Sequence, residues 1–148
     1  MSQSRFVYVS YIRTTPEKLW QSLTDASFIK QFWFGMNVEC EWKPGASWAL
    51  RFQDGRLADS GEIVEFDPPR RLAIRWTNQW KPEFSAEGPS LCVMEIEPHP
   101  SGAVKLTITH SMDKADSGLI GAVGGGWPLI ISNLKSLLET GTVAVPEK

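Results

Sequence analysis

Between Met36 and Ser111 the chain runs as short β-type segments separated by turn residues, and no other feature constrains its fold as strongly. Val38 to Trp42 reads as a strand closed by Lys43-Pro44-Gly45. In Ser47 to Phe52, strict alternation puts Trp48, Leu50 and Phe52 on one face. Asp54-Gly55 is a hairpin dipeptide, because its glycine accepts the positive φ that such turns need. A further strand, Ala58 to Phe66, ends at the rigid turn Asp67-Pro68-Pro69-Arg70. Arg71 to Thr77 gathers Leu72, Ile74 and Trp76, and Asn78 to Pro89 reads as irregular. Leu91 to Glu97 and Val104 to Ser111 complete the run, with a turn at Pro98 to Gly102. In the last strand Val104, Leu106, Ile108 and His110 share one face and Lys105, Thr107 and Thr109 the other. That pattern predicts an antiparallel sheet with one wet side.

A sheet with one apolar face needs a cover, and the C-terminal segment supplies it. Trp127, Ile130, Ile131, Leu134, Leu137 and Leu138 recur at helical spacing, with Gly141 at the C-cap position. Gly124-Gly125-Gly126 and Pro128 predict that an earlier helical stretch, Asp116 to Val123, is separated from it or kinked against it. At the other end, Arg5 to Arg13 reads as a strand. Thr15-Pro16-Glu17 opens a short helix that buries Leu19, Trp20 and Leu23. Asp25 or Ser27 caps a second, carrying Phe28, Ile29 and Phe32 and ending at Gly35. Residues 1–4 and 142–148 are expected to fray.

A length of 148 residues suits one domain, 1–148. A formal charge of −2 gives no footprint for nucleic acid. No apolar run approaches the ~20 residues of a membrane span, and the N-terminus lacks a signal-peptide layout, so a cytoplasmic location is expected. Cys40 and Cys92 are expected to be free, reduced and structural, with Cys92 on the inner face beside Met94 and Ile96. The two histidines and two cysteines have no metal-ligand spacing, and the triple glycine is followed by Trp-Pro rather than by Lys-Ser/Thr. No cofactor and no metal are expected, and no nucleophile elbow or triad can be read.

The segments TTPEKLWQSLTD at 14–25, WFG at 33–35, GEIVEFDPPRRL at 61–72, VKLTITHSMD at 104–113 and GGWPLIISNLKSLLETG at 125–141 occur in this order. Together they resemble the activators of the 90-kDa heat-shock chaperone's ATPase, and in particular that family's small bacterial single-domain members within the START-like SRPBCC superfamily. The resemblance implies an α+β helix-grip fold: a seven-stranded antiparallel sheet around a long C-terminal helix, two short helices after the first strand, and a cavity between helix and sheet. It implies a container for apolar molecules, with no shared catalytic residue. The family name comes from eukaryotic co-chaperones with an additional N-terminal domain, for which 148 residues leave no room beside the grip.

Seven tryptophans give that container its walls or its filling. Trp33, Trp48, Trp76 and Trp127, with Met94, either line a pocket or pack as core. His110 either contacts a ligand or is a core histidine satisfied by its neighbours. Glu62, in phase with Val64 and Phe66, either points inward to a ligand or is a rim carboxylate or the buried partner of an arginine; a one-residue bulge would turn it outward. The leading expectation is a non-catalytic domain holding a small apolar or amphipathic molecule. The alternatives are a cyclase-, dehydratase- or hydrolase-type enzyme using His110 and Glu62 as acid and base, and a protein acting on a chaperone or regulatory partner through an outer surface.

Overall fold

Every strand among the described residues enters one seven-stranded sheet. A computed structural model describes residues 3–146. In chain order the elements are β1 (Ser4–Ile12), α1 (Pro16–Leu23), α2 (Ala26–Phe32), β2 (Asn37–Cys40), β3 (Ser47–Arg51) and β4 (Leu57–Asp67). These are followed by β5 (Arg71–Asn78), α3 (Pro82–Ser85), β6 (Ser90–Pro98), β7 (Val104–Met112) and α4 (Gly118–Thr140). The strand order is β1-β7-β6-β5-β4-β3-β2, antiparallel throughout. Only β1 leaves its sequence neighbours, crossing over α1 and α2 to pair with β7. This is the expected helix-grip architecture.

The local signals act as the sequence predicts. Thr15 Oγ1 accepts the Lys18 N–H at the start of α1, and Asp25 accepts the N–H groups of Ser27 and Phe28 at the start of α2. Gly141, at φ 87°, donates its N–H to the Leu137 carbonyl and ends α4 in the left-handed conformation that glycine tolerates best. On β7 the residues Val104, Leu106, Ile108 and His110 are all buried. They face Trp127, Ile130, Ile131 and Leu134 of α4 within one hydrophobic core.

Several expectations are corrected. The glycines and Pro128 do not divide the C-terminal helix, because α4 runs unbroken from Gly118 to Thr140. Its buried stripe, from Leu119 and Ile120 to Leu134, outweighs the low helix propensity of the glycine run. The segment 78–89 contains a one-turn helix, α3, too short for periodicity to announce. Phe52 lies past the end of β3 and packs edge-on against Trp80. The region 142–146 is tied down rather than frayed: Asn133 exchanges two hydrogen bonds with the Val145 backbone. Ser4 opens β1; of the ends expected to fray, residues 1–2 and 147–148 lie outside the described residues.

The most consequential correction is in β4. A register shift between Ile63 and Glu65 inserts one extra residue, so the strand's two halves are out of phase. Ile63 is fully buried and Glu62 is exposed, with its carboxylate 3.9 Å from Arg75 on the outer face. Alternation counted back from Phe66 therefore assigns the residues from Ile63 back to Asp59 to the wrong side. It sends Glu62 inward and Asp59 outward, whereas Glu62 is exposed and Asp59 is buried.

Candidate functional site

Trp48, Gly61 and Trp76 lie in register across β3, β4 and β5. Glycine between them leaves the two indoles free to meet, their rings 4.5 Å apart. A Cβ at Gly61 would fall 1.7 Å from the Arg75 carbonyl oxygen, so no other residue fits there. Trp33, at the end of α2, and Trp127, on α4, close on Trp76 from above with ring separations of 5.8 Å each and lie 5.3 Å from one another. This aromatic cluster divides the space between sheet and helix into two unequal parts.

The central part is closed. Trp48, Met94, Leu72 and Ile74 of the sheet meet Trp127 and Ile131 of the helix and Phe32 of α2 around a void of about 20 Å³. That is room for at most a single water. Beside it His110 is fully buried and saturated. The Trp127 indole N–H donates to His110 Nδ1 over 3.2 Å. An indole nitrogen only donates, so Nδ1 is the bare nitrogen of the ring and Nε2 carries the proton. Nε2–H donates to Ser90 Oγ at 2.8 Å, and that hydroxyl donates onward to the Trp76 carbonyl at 3.0 Å. Burial pulls His110 down to about 4 and keeps it neutral. With both nitrogens committed, His110 is the satisfied core histidine of the two readings.

The other part is open. Toward the N-terminal end of α4 a cavity of about 190 Å³ opens to solvent. Asp59 on β4 and Trp76 and Asn78 on β5 form its floor, and Trp80 and Phe84, before and within α3, form one side. Leu119, Val123 and Gly126 of α4 form the other, with Trp33 and Trp127 at the inner end. A Cβ added at Gly126 would meet nothing within 4 Å. The helix wall is itself held by Glu87, whose carboxylate accepts from the Ser117 hydroxyl and from the Gly118 N–H at 2.9 Å. A carboxylate at a helix N-terminus is favoured by the helix dipole.

Among the described residues, Asp59 is the one ionisable side chain on the cavity wall. It is 8% exposed, and desolvation pushes it up to about 6 against the opposing hydrogen bond from the Trp76 side chain. Asn78 Nδ2 reaches Asp59 Oδ1 at 3.4 Å. Asn78 is in turn fixed, its Oδ1 accepting the N–H groups of Trp80 and Lys81. Among the described residues, no ion pair involves Asp59 and no group of His, Cys, Asp and Glu could hold a metal.

Of the residues singled out from sequence, Trp33, Trp76 and Trp127 line the open cavity. Trp48 and Met94 line the closed void, His110 lies in the packed relay, and Glu62 is outside. Sequence reasoning missed Asp59, Asn78, Trp80 and Phe84. Alternation counted from Ile63 instead of Phe66 would have found Asp59. Both cysteines are free; Cys92 is fully buried and Cys40 half-buried, and desolvation raises both thiols.

The sheet, the gripped helix and the cavity between them define a START-like helix-grip domain. Residues 13–139 match the family described as Activator of Hsp90 ATPase homolog 1-like protein, and the chain belongs to that family. Among curated proteins none matches it. A solved protein from Mesorhizobium loti shares 24% identity and a TM-score of 0.79 over 92% of this chain and 97% of its own. The Aha1 dimer from Colwellia psychrerythraea gives 17% and 0.77 over 93% and 98%. An HSP90 activator from Plasmodium falciparum gives 22% and 0.75 over 90% and 95%. At these identities the likeness is one of fold. None of the described helices is long and apolar enough to cross a membrane.

Proposed function

We propose that the protein is a non-catalytic binding domain that holds a small apolar or amphipathic molecule in the cavity between β4, β5, α3 and α4. The observation that carries this reading is the contrast within one interface. The helix and sheet pack to near closure at Trp48 and Met94, yet leave about 190 Å³ lined by tryptophans at Trp76 and Trp127. A cavity of roughly 150 Å³ already accommodates a benzene-sized guest, so this one suits a single-ring molecule. The catalytic alternative loses its expected pair, since Glu62 is exposed and His110 has no nitrogen free for a substrate.

Gly126→Leu tests the reading by placing a side chain in the open space. The neutral probe 2-phenylethanol is expected to quench tryptophan fluorescence and raise the melting temperature of the unmodified protein. At a hundredfold excess over Kd the stabilisation is about 2.7 kcal/mol. The leucine variant is expected to fold and to lose both responses. Equal responses in the two proteins, or none in either, would refute the cavity as the site.

One observation favours a second reading, a protein partner held on an outer surface. Val7, Val9 and Tyr11 are exposed together on the outer face of the edge strand β1. Because a solved relative is an HSP90 activator, the partner to test is that chaperone. Stimulation of its ATPase that Val9→Asp abolishes and Gly126→Leu leaves intact would establish this role; no stimulation would remove it.

A further inference from the structure

Asp59 is an anomaly in the cavity just described. The walls around it are aromatic or aliphatic apart from Asn78, whose amide is already fixed between Asp59 and the backbone of Trp80 and Lys81. The carboxylate's hydrogen-bonding partners are an amide and an indole, both neutral. A carboxylate removed from water and given no cation is unfavourable; it holds its proton to higher pH, and such groups beside an open cleft recur at ligand sites. Here the vacant neighbour is open volume, bounded by the indoles of Trp33, Trp76, Trp80 and Trp127. Indole faces carry negative potential and attract organic cations, so the carboxylate and the rings favour the same kind of guest.

We infer that the ligand class of this cavity is a single-ring-sized apolar or aromatic molecule carrying a cationic amine, its ammonium set against Asp59 and its apolar body among the tryptophans. This rests on the cavity reading above and specifies its occupant. The surrounding elements do not supply the charge themselves. On β3 the register partner of Asp59 is Leu50, and Arg51 is paired with Glu39. Near α3, Lys81 Nζ is held 5.3 Å and 5.4 Å from the Trp80 and Phe84 ring centres, while Glu83 is exposed and Glu87 is committed to the start of α4. The α4 residues on the cavity wall carry no charge. Behind Trp76 and Trp127, His110 titrates near 4 and stays neutral above pH 5.

Three single-ring probes of matched size test the inference by calorimetric or fluorescence titration: 2-phenylethylamine, 2-phenylethanol and phenylacetate. An acid titrating near pH 6 is about one-tenth ionised at pH 5 and almost fully ionised at pH 8. The amine is therefore expected to bind about tenfold more tightly at pH 8 than at pH 5, the alcohol with little pH dependence, and phenylacetate most weakly at pH 8. Asp59→Asn is expected to flatten the amine's pH profile. The profile of the unmodified protein reads the same charge coupling without any variant. If the alcohol binds and the amine matches it at both pH values, the cationic ligand class is wrong and the cavity reading stands. If no probe binds, both fail.

Discussion

Two buried titratable groups lie on either side of Trp76, and their surroundings could hardly differ more. His110 is enclosed in a hydrogen-bonded chain from Trp127 through Ser90 to the Trp76 backbone, with no space around it. Asp59 is almost as buried but borders an open cavity, with only neutral partners. Both are shifted by desolvation, so a perturbed pKa by itself does not separate a structural group from a functional one. Charge beside open volume does: a neutral group with its polar atoms answered and no room around it serves the fold, whereas a carboxylate bordering open volume carries a desolvation penalty that a ligand can relieve.

The difference has a sign in pH. His110 is depressed from 6.5 to about 4, so its contribution to stability is complete above pH 6.5 and is lost as pH falls toward 4. Asp59 is raised from 3.8 to about 6, so the native state holds its proton longer than the unfolded chain. Its penalty is absent below 3.8, grows as pH rises, and is fully present above 6, at roughly 3 kcal/mol. Between pH 4 and 6 the two effects oppose one another.

The largest expected effect of a single substitution comes from the closed side. His110→Ala removes a packed ring and leaves the Trp127 N–H without its acceptor, which should cost about 3–5 kcal/mol in denaturant unfolding. A loss below about 1 kcal/mol would show that the relay does not hold the core. On the open side the sign reverses. Asp59→Asn should stabilise the protein by about 3 kcal/mol at pH 8 and by less than about 1 kcal/mol at pH 4. With Asp59 neutralised, the acid-side loss due to His110 should emerge, at up to about 1.4 kcal/mol per pH unit between 6.5 and 4. A pH-independent gain, or a loss at pH 8, would contradict the desolvated carboxylate. The smallest effect is expected at the helix wall, where Gly126→Ala should add about 1 kcal/mol of helix propensity because its methyl meets no other atom. A destabilised Ala variant would mean that the glycine is required for packing.

The same contrast explains what the sequence made legible. The fold follows from short-range patterns: alternation in Val104 to His110, the apolar stripe of α4, and caps at Thr15, Asp25 and Gly141. The tryptophan cluster was visible in outline, since Trp33, Trp76 and Trp127 do meet. Its division into a filled half and an open half was not, because that depends on how volumes add across four elements. Asp59 was hidden by the bulge in β4: one extra residue between Ile63 and Glu65 exchanged the faces of Asp59 and Glu62 in any count from Phe66. Trp80 and Phe84 were hidden because a single helical turn leaves no periodic trace.

The indole N–H resonances of the seven tryptophans report on both regions at once, in one spectrum of the ¹⁵N-labelled protein titrated with 2-phenylethanol. The open cavity predicts saturable shifts for Trp33, Trp76, Trp80 and Trp127, with Trp20 and Trp42, which do not line it, unmoved. Shifts that spare Trp80 while moving Trp42, or a spectrum unchanged at saturating probe, would contradict the assignment of the site to the Asp59 side of Trp76.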